Sequence, residues 1–231
     1  MRPLEADSDA PVEIARAESE RGELVLRRRR DADGPVVLEL RANGVFVMDT
    51  REVGTEQALA TEALRLVAAP SRVLVAGLGL GFTLREVLAD ARVEEVAVVE
   101  VEPALVGWMR DGTVPHGPVA LADKRVRVIE ADIAVALAEA GDARFDLVLL
   151  DVDNGPGHLV HDENATLYHE PFLHTVRRVL RPGGAIVVWS SAASPDLQDS
   201  LSGVFGNASG VPLAVQLQGR EVTYWLYAGS R

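Results

Sequence analysis

The spacing of apolar residues changes partway along this 231-residue chain and divides it into two parts. From residue 11 to residue 52, apolar and polar residues alternate with a period of two, which is typical of strands with one buried face. Runs at 23–27, 36–40 and 45–48 predict strands, with a further strand at 12–17. Asn43 and Gly44 separate two of these runs and are typical of a type I′ hairpin turn. We predict an N-terminal β-hairpin domain over 11–52, a small antiparallel meander, preceded by a disordered tail over 1–10.

From residue 53 onwards, helical and strand-like segments alternate. Apolar residues at helical spacing predict a first helix over 55–69, which Pro70 ends. Short apolar runs then predict strands at 73–76, 96–99, 125–129, 145–150 and 185–189, with helices at 82–91, 103–110, 133–140, 165–180 and 196–205. Residues 111–123 are predicted to form a loop, 181–184 a helix stop, and 211–217 with 222–227 an antiparallel pair of strands. This alternation predicts an α/β domain over 53–231 with a seven-stranded, mostly parallel, Rossmann-like sheet between layers of helices.

Three glycines follow the first buried strand of this domain at alternate positions, Gly77, Gly79 and Gly81. Glycine lets the backbone turn sharply and approach a ligand closely, and the following helix presents free N–H groups at its N-terminus. A tight turn without a ligand would have the same spacing. Glu100 ends the next strand, about 20 positions on, where an acidic residue can accept hydrogen bonds from ribose hydroxyls. The two features together predict a nucleoside site.

Acidic residues follow three strands, at Glu100, Asp132 and Asp151. The carboxyl ends of parallel strands meet at one edge of the sheet, where α/β proteins bind ligands. Asp132 could alternatively cap the helix that follows it. Asp151 could bind an amine or remove its proton, whereas Asp153 and Asn154 either join it in the site or organise the turn-rich loop that they begin. We assign Asp151 and Asp153 as candidate catalytic residues and Asn154 as a candidate substrate ligand.

Two histidines lie in the same loop, His158 and His161, and either is a candidate general base or substrate ligand. Together with Asp151 and Asp153 they could also ligate a metal ion. The loop contains glycine and proline, no helix fixes the spacing of the histidines, and the chain has no cysteine, so we predict no metal site. No serine occurs in a nucleophile-elbow sequence, which leaves acyl transfer through a covalent serine without support.

Composition narrows the class of partner. The net charge of −12 argues against nucleic acid, because binding phosphates needs a basic surface. No apolar run approaches the ~18 residues that span a bilayer, and residues 1–10 lack the apolar segment of a secretory signal. We therefore expect a cytoplasmic protein that acts on a small molecule, an amine being one candidate, without a nucleic-acid or membrane partner.

Several motifs resemble those of the spermidine synthase (polyamine aminopropyltransferase) family. They are VLVAGLGLG (73–81), TLREVL (83–88), VEVE (99–102), FDLVLLD (145–151), the stretch 167–172 and LRPGG (180–184). The resemblance implies a class I S-adenosylmethionine-dependent methyltransferase fold that binds S-adenosylmethionine or its decarboxylated form, and a homodimer joined through the meander. The site residues that it implies are Gly77, Gly79 and Gly81 at the methionine-like portion, Glu100 at the ribose, Asp132 and Ile133 at the adenine, and Asp151 at the reacting centre. We add Leu80 and Val101 as candidate cofactor ligands, and Asn154, His158, His161 and Tyr168 as candidate substrate ligands.

Departures from that family affect the predicted substrate. The family's glycine turn carries an aspartate that holds the aminopropyl amine, and Leu80 stands in its place here. The second aspartate of the motif after the fourth strand is replaced by Asn154, and the family's Tyr-His-Glu signature is not evident between Thr50 and Leu66. We therefore favour an alkyl transferase, methyl transfer being preferred to aminopropyl transfer. The alternatives are aminopropyl transfer from decarboxylated S-adenosylmethionine and a non-catalytic nucleotide-binding scaffold.

Overall fold

The computed structural model describes residues 11–30, 34–217 and 220–231, so the predicted tail over 1–10 lies outside the described residues. The N-terminal part forms a four-stranded antiparallel sheet in the order β1-β2-β3-β4. Its strands are β1 (Val12–Ser19), β2 (Gly22–Arg30), β3 (Val36–Ala42) and β4 (Val45–Asp49). Asn43 and Gly44, with φ of 52° and 77°, form the two-residue turn between β3 and β4, as the type I′ prediction requires.

The second sheet has seven strands in the order β10-β11-β9-β8-β5-β6-β7. They are β5 (Arg72–Ala76), β6 (Glu95–Glu100), β7 (Val126–Glu130), β8 (Phe145–Leu150), β9 (Leu180–Ser190), β10 (Ser209–Leu217) and β11 (Arg220–Ser230). Strands β5 to β9 pair in parallel, whereas β11 runs antiparallel to β9 and to β10. The predicted seven-stranded, mostly parallel sheet is therefore confirmed. Its order reverses between β5 and β8, which is where sheets of this kind bind ligands.

The helices differ from the prediction in three places. They are α1 (Gly54–Leu66), α2 (Phe82–Ala89), α3 (Pro103–Asp111), α4 (Gly117–Leu121), α5 (Ile133–Glu139), α6 (Glu170–Val179) and α7 (Pro195–Phe205), with a 3₁₀ helix at Asp162–Tyr168. Helix α4 occupies part of the predicted loop 111–123. The predicted helix 165–180 is divided, because Pro171 cannot donate a backbone hydrogen bond and fits only the first turn of α6. Residues 181–184 are predicted to end the preceding helix. Helix α6 does end just before them, but they belong to β9, where the pairing with β8 is irregular.

Apolar side chains cover both faces of the large sheet. Alternate residues of β5 point to opposite faces, so Val73 and Val75 join one buried cluster while Leu74 and Ala76 join the other. The first cluster also includes side chains of the meander, Leu24, Leu26, Leu38 and Leu40, and of α1, Leu59 and Ala63. This packing places β4 and the start of α1 beside the carboxyl ends of β5 and β8. Within the described residues, no helix is both long and apolar enough to cross a membrane.

Candidate functional site

The glycine turn joins β5 to α2 and brings the backbone close to the segment after β8. All three glycines have positive φ, 92° at Gly77, 50° at Gly79 and 81° at Gly81. A Cβ atom at Gly77 would lie 2.0 Å from the carbonyl oxygen of Asp151. Only glycine therefore permits both the backbone conformation and this approach.

Glu100 is the last residue of β6, and its carboxylate is held by backbone donors. One oxygen, Oε2, accepts from the N–H of Leu78 at 2.9 Å, and Oε1 accepts from the N–H of Glu102 at 2.9 Å. The side chain is 7% exposed, and burial raises the pKa of Glu100 despite these hydrogen bonds. The contacts tie the glycine turn to the segment after β6, and each oxygen keeps a lone pair for a ligand.

A first cavity of about 140 Å³ opens at this edge of the sheet. The predicted residues that line it are Gly77, Gly79, Glu100, Val101, Asp132, Ile133, Asp151, Asp153 and His161. Asp132 also caps α5, because its Oδ1 accepts from the N–H of Ala134 at 2.7 Å, so both roles considered for it are compatible with its position.

Arg21, in the turn between β1 and β2, closes part of the first cavity and was not foreseen from sequence. Its guanidinium lies 3.8 Å from Glu102 and 3.5 Å from the side-chain oxygen of Asn164. Its Nε is buried without a hydrogen-bond partner among the described residues. Nothing in the sequence around Arg21 indicates that it lines a cavity, because only the tertiary fold brings this turn next to the first cavity.

Asp151 follows β8 and lines both this cavity and a second one. Its Oδ2 accepts from the hydroxyl of Thr83 on α2 at 2.6 Å, and burial raises the pKa of Asp151 to about 6. No described Lys, Arg or His forms an ion pair with it. Thr83, a residue that sequence reasoning missed, therefore fixes the carboxylate without neutralising it.

Asp153 organises the loop between β8 and the 3₁₀ helix. Its backbone φ is 62°, and its carboxylate accepts from the N–H groups of Asn154, Val160 and His161 and from the side-chain amide of Asn164, at 2.5–3.2 Å. The structural alternative considered for this residue is thus realised. Its catalytic role stays a prediction, and so does a substrate contact for Asn154, which lines the second cavity.

Four further residues named from sequence line neither cavity. The side chain of Leu80 is 0% exposed, and its carbonyl oxygen lies 2.5 Å from Nε2 of His116. Gly81, the next residue, packs against the side chain of Met109. His158 is exposed, with Nδ1 3.3 Å from the Ser191 hydroxyl. Tyr168 is buried and donates to the Val152 carbonyl at 2.8 Å, and burial raises its pKa. Their assigned ligand contacts stay predictions.

The second cavity, of about 100 Å³, adjoins the first, and Val47, Gly79, Asp151 and Asp153 line both. Among the described residues, five carboxyl side chains and no Lys, Arg or His line the second cavity. They are Asp49, Glu52, Glu56, Asp151 and Asp153. Its wall also includes four aromatic residues, Phe46, Phe82, Trp189 and Tyr224. The rings of Trp189 on β9 and Tyr224 on β11 meet edge to face with centroids 5.0 Å apart. Neither the acidic start of α1 nor Tyr224 was foreseen as part of the site.

Within the described residues, no three His, Asp or Glu side chains are grouped as metal ligands.

Residues 52–203 match the family model for the spermine/spermidine synthase domain. The chain belongs to the spermine/spermidine synthase family.

Curated relatives in this family include enzymes of two kinds. Spermidine synthase 2 of Arabidopsis thaliana is 30% identical over 145 residues, 62% of this chain and 41% of that protein. Putrescine N-methyltransferase 3 of Nicotiana tabacum is 30% identical over 119 residues, 51% of this chain and 29% of that protein. The chain thus spans less than half the length of either relative.

A crystal structure of a spermidine synthase in complex with the transition-state analogue AdoDATO has the same fold. The TM-score is 0.82 at 19% sequence identity, and the match covers 94% of this chain and 73% of that one. In this spermine/spermidine synthase family member the predicted class I methyltransferase-like architecture, with its N-terminal antiparallel sheet, is therefore confirmed.

Proposed function

We propose that this chain is a transferase that moves the aminopropyl group of decarboxylated S-adenosylmethionine to an amine. The observation that carries the proposal is the second cavity, which five carboxyl side chains and no cationic one line in the part of the chain that the structure describes. An ammonium group gains charge-assisted hydrogen bonds there. The α-carboxylate of S-adenosylmethionine would meet like charge without a cation to pair with it, which costs binding energy. The charge pattern supports aminopropyl transfer over the methyl transfer that the sequence favours.

The first cavity fits the nucleoside part of such a donor. Gly77 and Gly79 leave room for a ligand to approach the backbone, and the Glu100 carboxylate can accept from ribose hydroxyls. The buried Nε–H of Arg21 has no hydrogen-bond acceptor among the described residues, and a ligand oxygen or ring nitrogen would supply one. When bound, the donor supplies an electrophilic carbon attached to a sulfonium sulfur.

The chain's own residues then position and deprotonate the acceptor. A protonated amine has no lone pair with which to attack carbon, so it must lose a proton. Asp151 lies where the two cavities meet, and Thr83 holds its carboxylate in place to bind the amine and accept that proton. The acceptor nitrogen forms the new C–N bond, the C–S bond breaks with its electrons on sulfur, and a neutral thioether leaves. Rate acceleration would come mainly from this positioning.

Methyl transfer to an amine is the second candidate. Leu80 offers no carboxylate from the glycine turn, and putrescine N-methyltransferase 3 is 30% identical over 119 residues. In that case the same acceptor chemistry would leave S-adenosylhomocysteine in place of methylthioadenosine.

The test is turnover of putrescine with each donor separately, with the thioether product identified by mass spectrometry. We expect methylthioadenosine from the decarboxylated donor and little S-adenosylhomocysteine from S-adenosylmethionine. The reverse outcome would establish methyl transfer instead. Calorimetric binding of both donors without turnover of putrescine, spermidine or monoamines would point to the non-catalytic alternative.

A further inference from the structure

Glu56 stands near the start of α1, on the wall of the second cavity that also includes Leu78, Gly79 and Thr83. Helix α1 packs against α2, which begins directly after the glycine turn. The Glu56 Oε2 accepts from the hydroxyl of its neighbour Thr55 at 2.8 Å. Glu56 therefore approaches the glycine turn from a separate element, although it is far from that turn in sequence.

Three of the five cavity carboxylates already have partners in the fold. Asp49 pairs with Arg29 at 2.9 Å and accepts from two backbone N–H groups. Glu52 accepts from the N–H of Gly54 at 2.9 Å, and Asp153 accepts from four donors of its own loop. The hydrogen bonds and the ion pair of these three carboxylates stabilise the fold without a ligand.

Asp151 and Glu56 are different, since each accepts from one hydroxyl and forms no ion pair with any residue in the described ranges 11–30, 34–217 and 220–231. Burial, and then the nearby charge of Asp151, raise the pKa of Glu56 to about 7. Two neighbouring carboxylates without cations cost the free protein stability, and a ligand with two positive groups would offset that cost.

The two positive groups of the proposed reaction are the acceptor amine and the terminal ammonium of the donor. A donor chain that leaves the first cavity past Gly79 enters the second cavity, whose wall includes Glu56. The glycine turn itself has no carboxylate for it, because residues 77–81 are all glycine or leucine. On the basis of the proposed function, we propose that Glu56 binds the terminal ammonium of the donor's aminopropyl chain, which leaves Asp151 for the acceptor.

The test compares two ligands on three proteins by calorimetry at pH 8. Methylthioadenosine lacks the aminopropyl chain and decarboxylated S-adenosylmethionine has it. We expect Glu56→Gln to weaken binding of the decarboxylated donor by about tenfold or more and to leave methylthioadenosine within about twofold. Glu62→Gln, the same change on the outer face of α1 in an exposed pair with Arg65, should alter neither ligand.

Proton release gives a readout independent of turnover. Near pH 7 Glu56 is partly protonated, and an ammonium bound beside it would expel that proton. Titrations in two buffers of different ionisation enthalpy should show that the wild type releases a larger fraction of a proton per decarboxylated donor than Glu56→Gln does. The other titratable groups that face Glu56 are Glu52, Asp49, Asp151, Asp153 and Tyr224, and all remain in both proteins.

The outcomes separate this inference from the proposed function. If Glu56→Gln binds the decarboxylated donor as tightly as the wild type, or loses methylthioadenosine equally, the inference is wrong. A loss confined to putrescine, titrated onto the methylthioadenosine complex, would make Glu56 an acceptor residue and also overturn it. Failure of the wild type to bind either nucleoside would overturn the proposed function itself.

Discussion

The two cavities share Gly79 and Asp151, but among the described residues only the second has a further carboxylate without a cation or a backbone donor from another residue, Glu56. In the first, the oxygens of Glu100 accept from backbone N–H groups at 2.9 Å, and Asp132 accepts from the N-terminus of α5. In the second, Glu56 and Asp151 each accept from one side-chain hydroxyl, and no cationic side chain lines the wall within residues 11–30, 34–217 and 220–231. The fold provides partners for Glu100 and Asp132, as it does for three of the five carboxylates of the second cavity, and leaves Glu56 and Asp151 for a ligand.

This difference separates residues that hold the site together, such as Glu100, from residues that are available to bind a substrate, such as Glu56 and Asp151. A carboxylate held by backbone donors contributes to folding and to binding through the same contacts, so its removal damages both. An unpaired carboxylate destabilises the free protein, and its removal should harm function while sparing or increasing stability, a trade-off common at active sites. Substitutions in each cavity can therefore test the comparison.

Asp151→Asn should have the largest effect. Loss of the proton acceptor is expected to lower kcat by about 10²- to 10⁴-fold, because general-base catalysis typically contributes that much. Affinity for methylthioadenosine, measured by calorimetry, should stay within about threefold, since Asn can still accept from Thr83. Unchanged turnover of an identified acceptor would show that Asp151 is not the base.

Gly77→Ala should disrupt the first cavity, because it forces the backbone of the glycine turn away from the segment that follows β8. The new Cβ would lie 2.0 Å from the Asp151 carbonyl oxygen at a φ of 92°, so we expect the free energy of unfolding to fall by about 3 kcal/mol or more. Gly206→Ala is the matched control, because Gly206 has a φ of 75° with nothing within 4 Å, and should cost only about 1 kcal/mol. Equal losses in urea denaturation would mean that the φ angle, not the contact, requires glycine at position 77.

The first cavity could be predicted from sequence because its residues follow strands directly. A buried strand fixes the position of the next residue at the carboxyl edge of the sheet, so Gly77, Glu100 and Asp151 are recognisable from local pattern alone. The same pattern predicts the seven strands. It does not predict the direction of a side chain inside a tight turn, and Leu80 therefore points into the core and lines neither cavity.

The second cavity could not be predicted, because it is assembled by packing between distant segments. Glu56, Trp189 and Tyr224 belong to α1, β9 and β11, and only the tertiary fold brings them together. In sequence, Glu56 is one charged residue on an amphipathic helix, where a solvated position is the usual outcome. Its partial burial beside Asp151 is a property of how α1 meets the sheet edge.

The smallest expected effect is on the pH dependence of stability. The pKa of Glu56 rises from 4.5 to about 7 on folding, so the native state holds its proton more tightly than the unfolded chain. The free energy of unfolding should therefore fall as pH rises from about 4.5 to about 7. The full pKa difference corresponds to about 3 kcal/mol, and solvent screening of this partly exposed side chain reduces the expected fall to on the order of 1–2 kcal/mol. Urea denaturation at intervals from pH 5 to pH 8 should show a shallower fall for Glu56→Gln than for the wild type or Glu62→Gln. Parallel curves for all three would mean that Glu56 is not an unpaired charge, and that the two cavities do not differ in the way described.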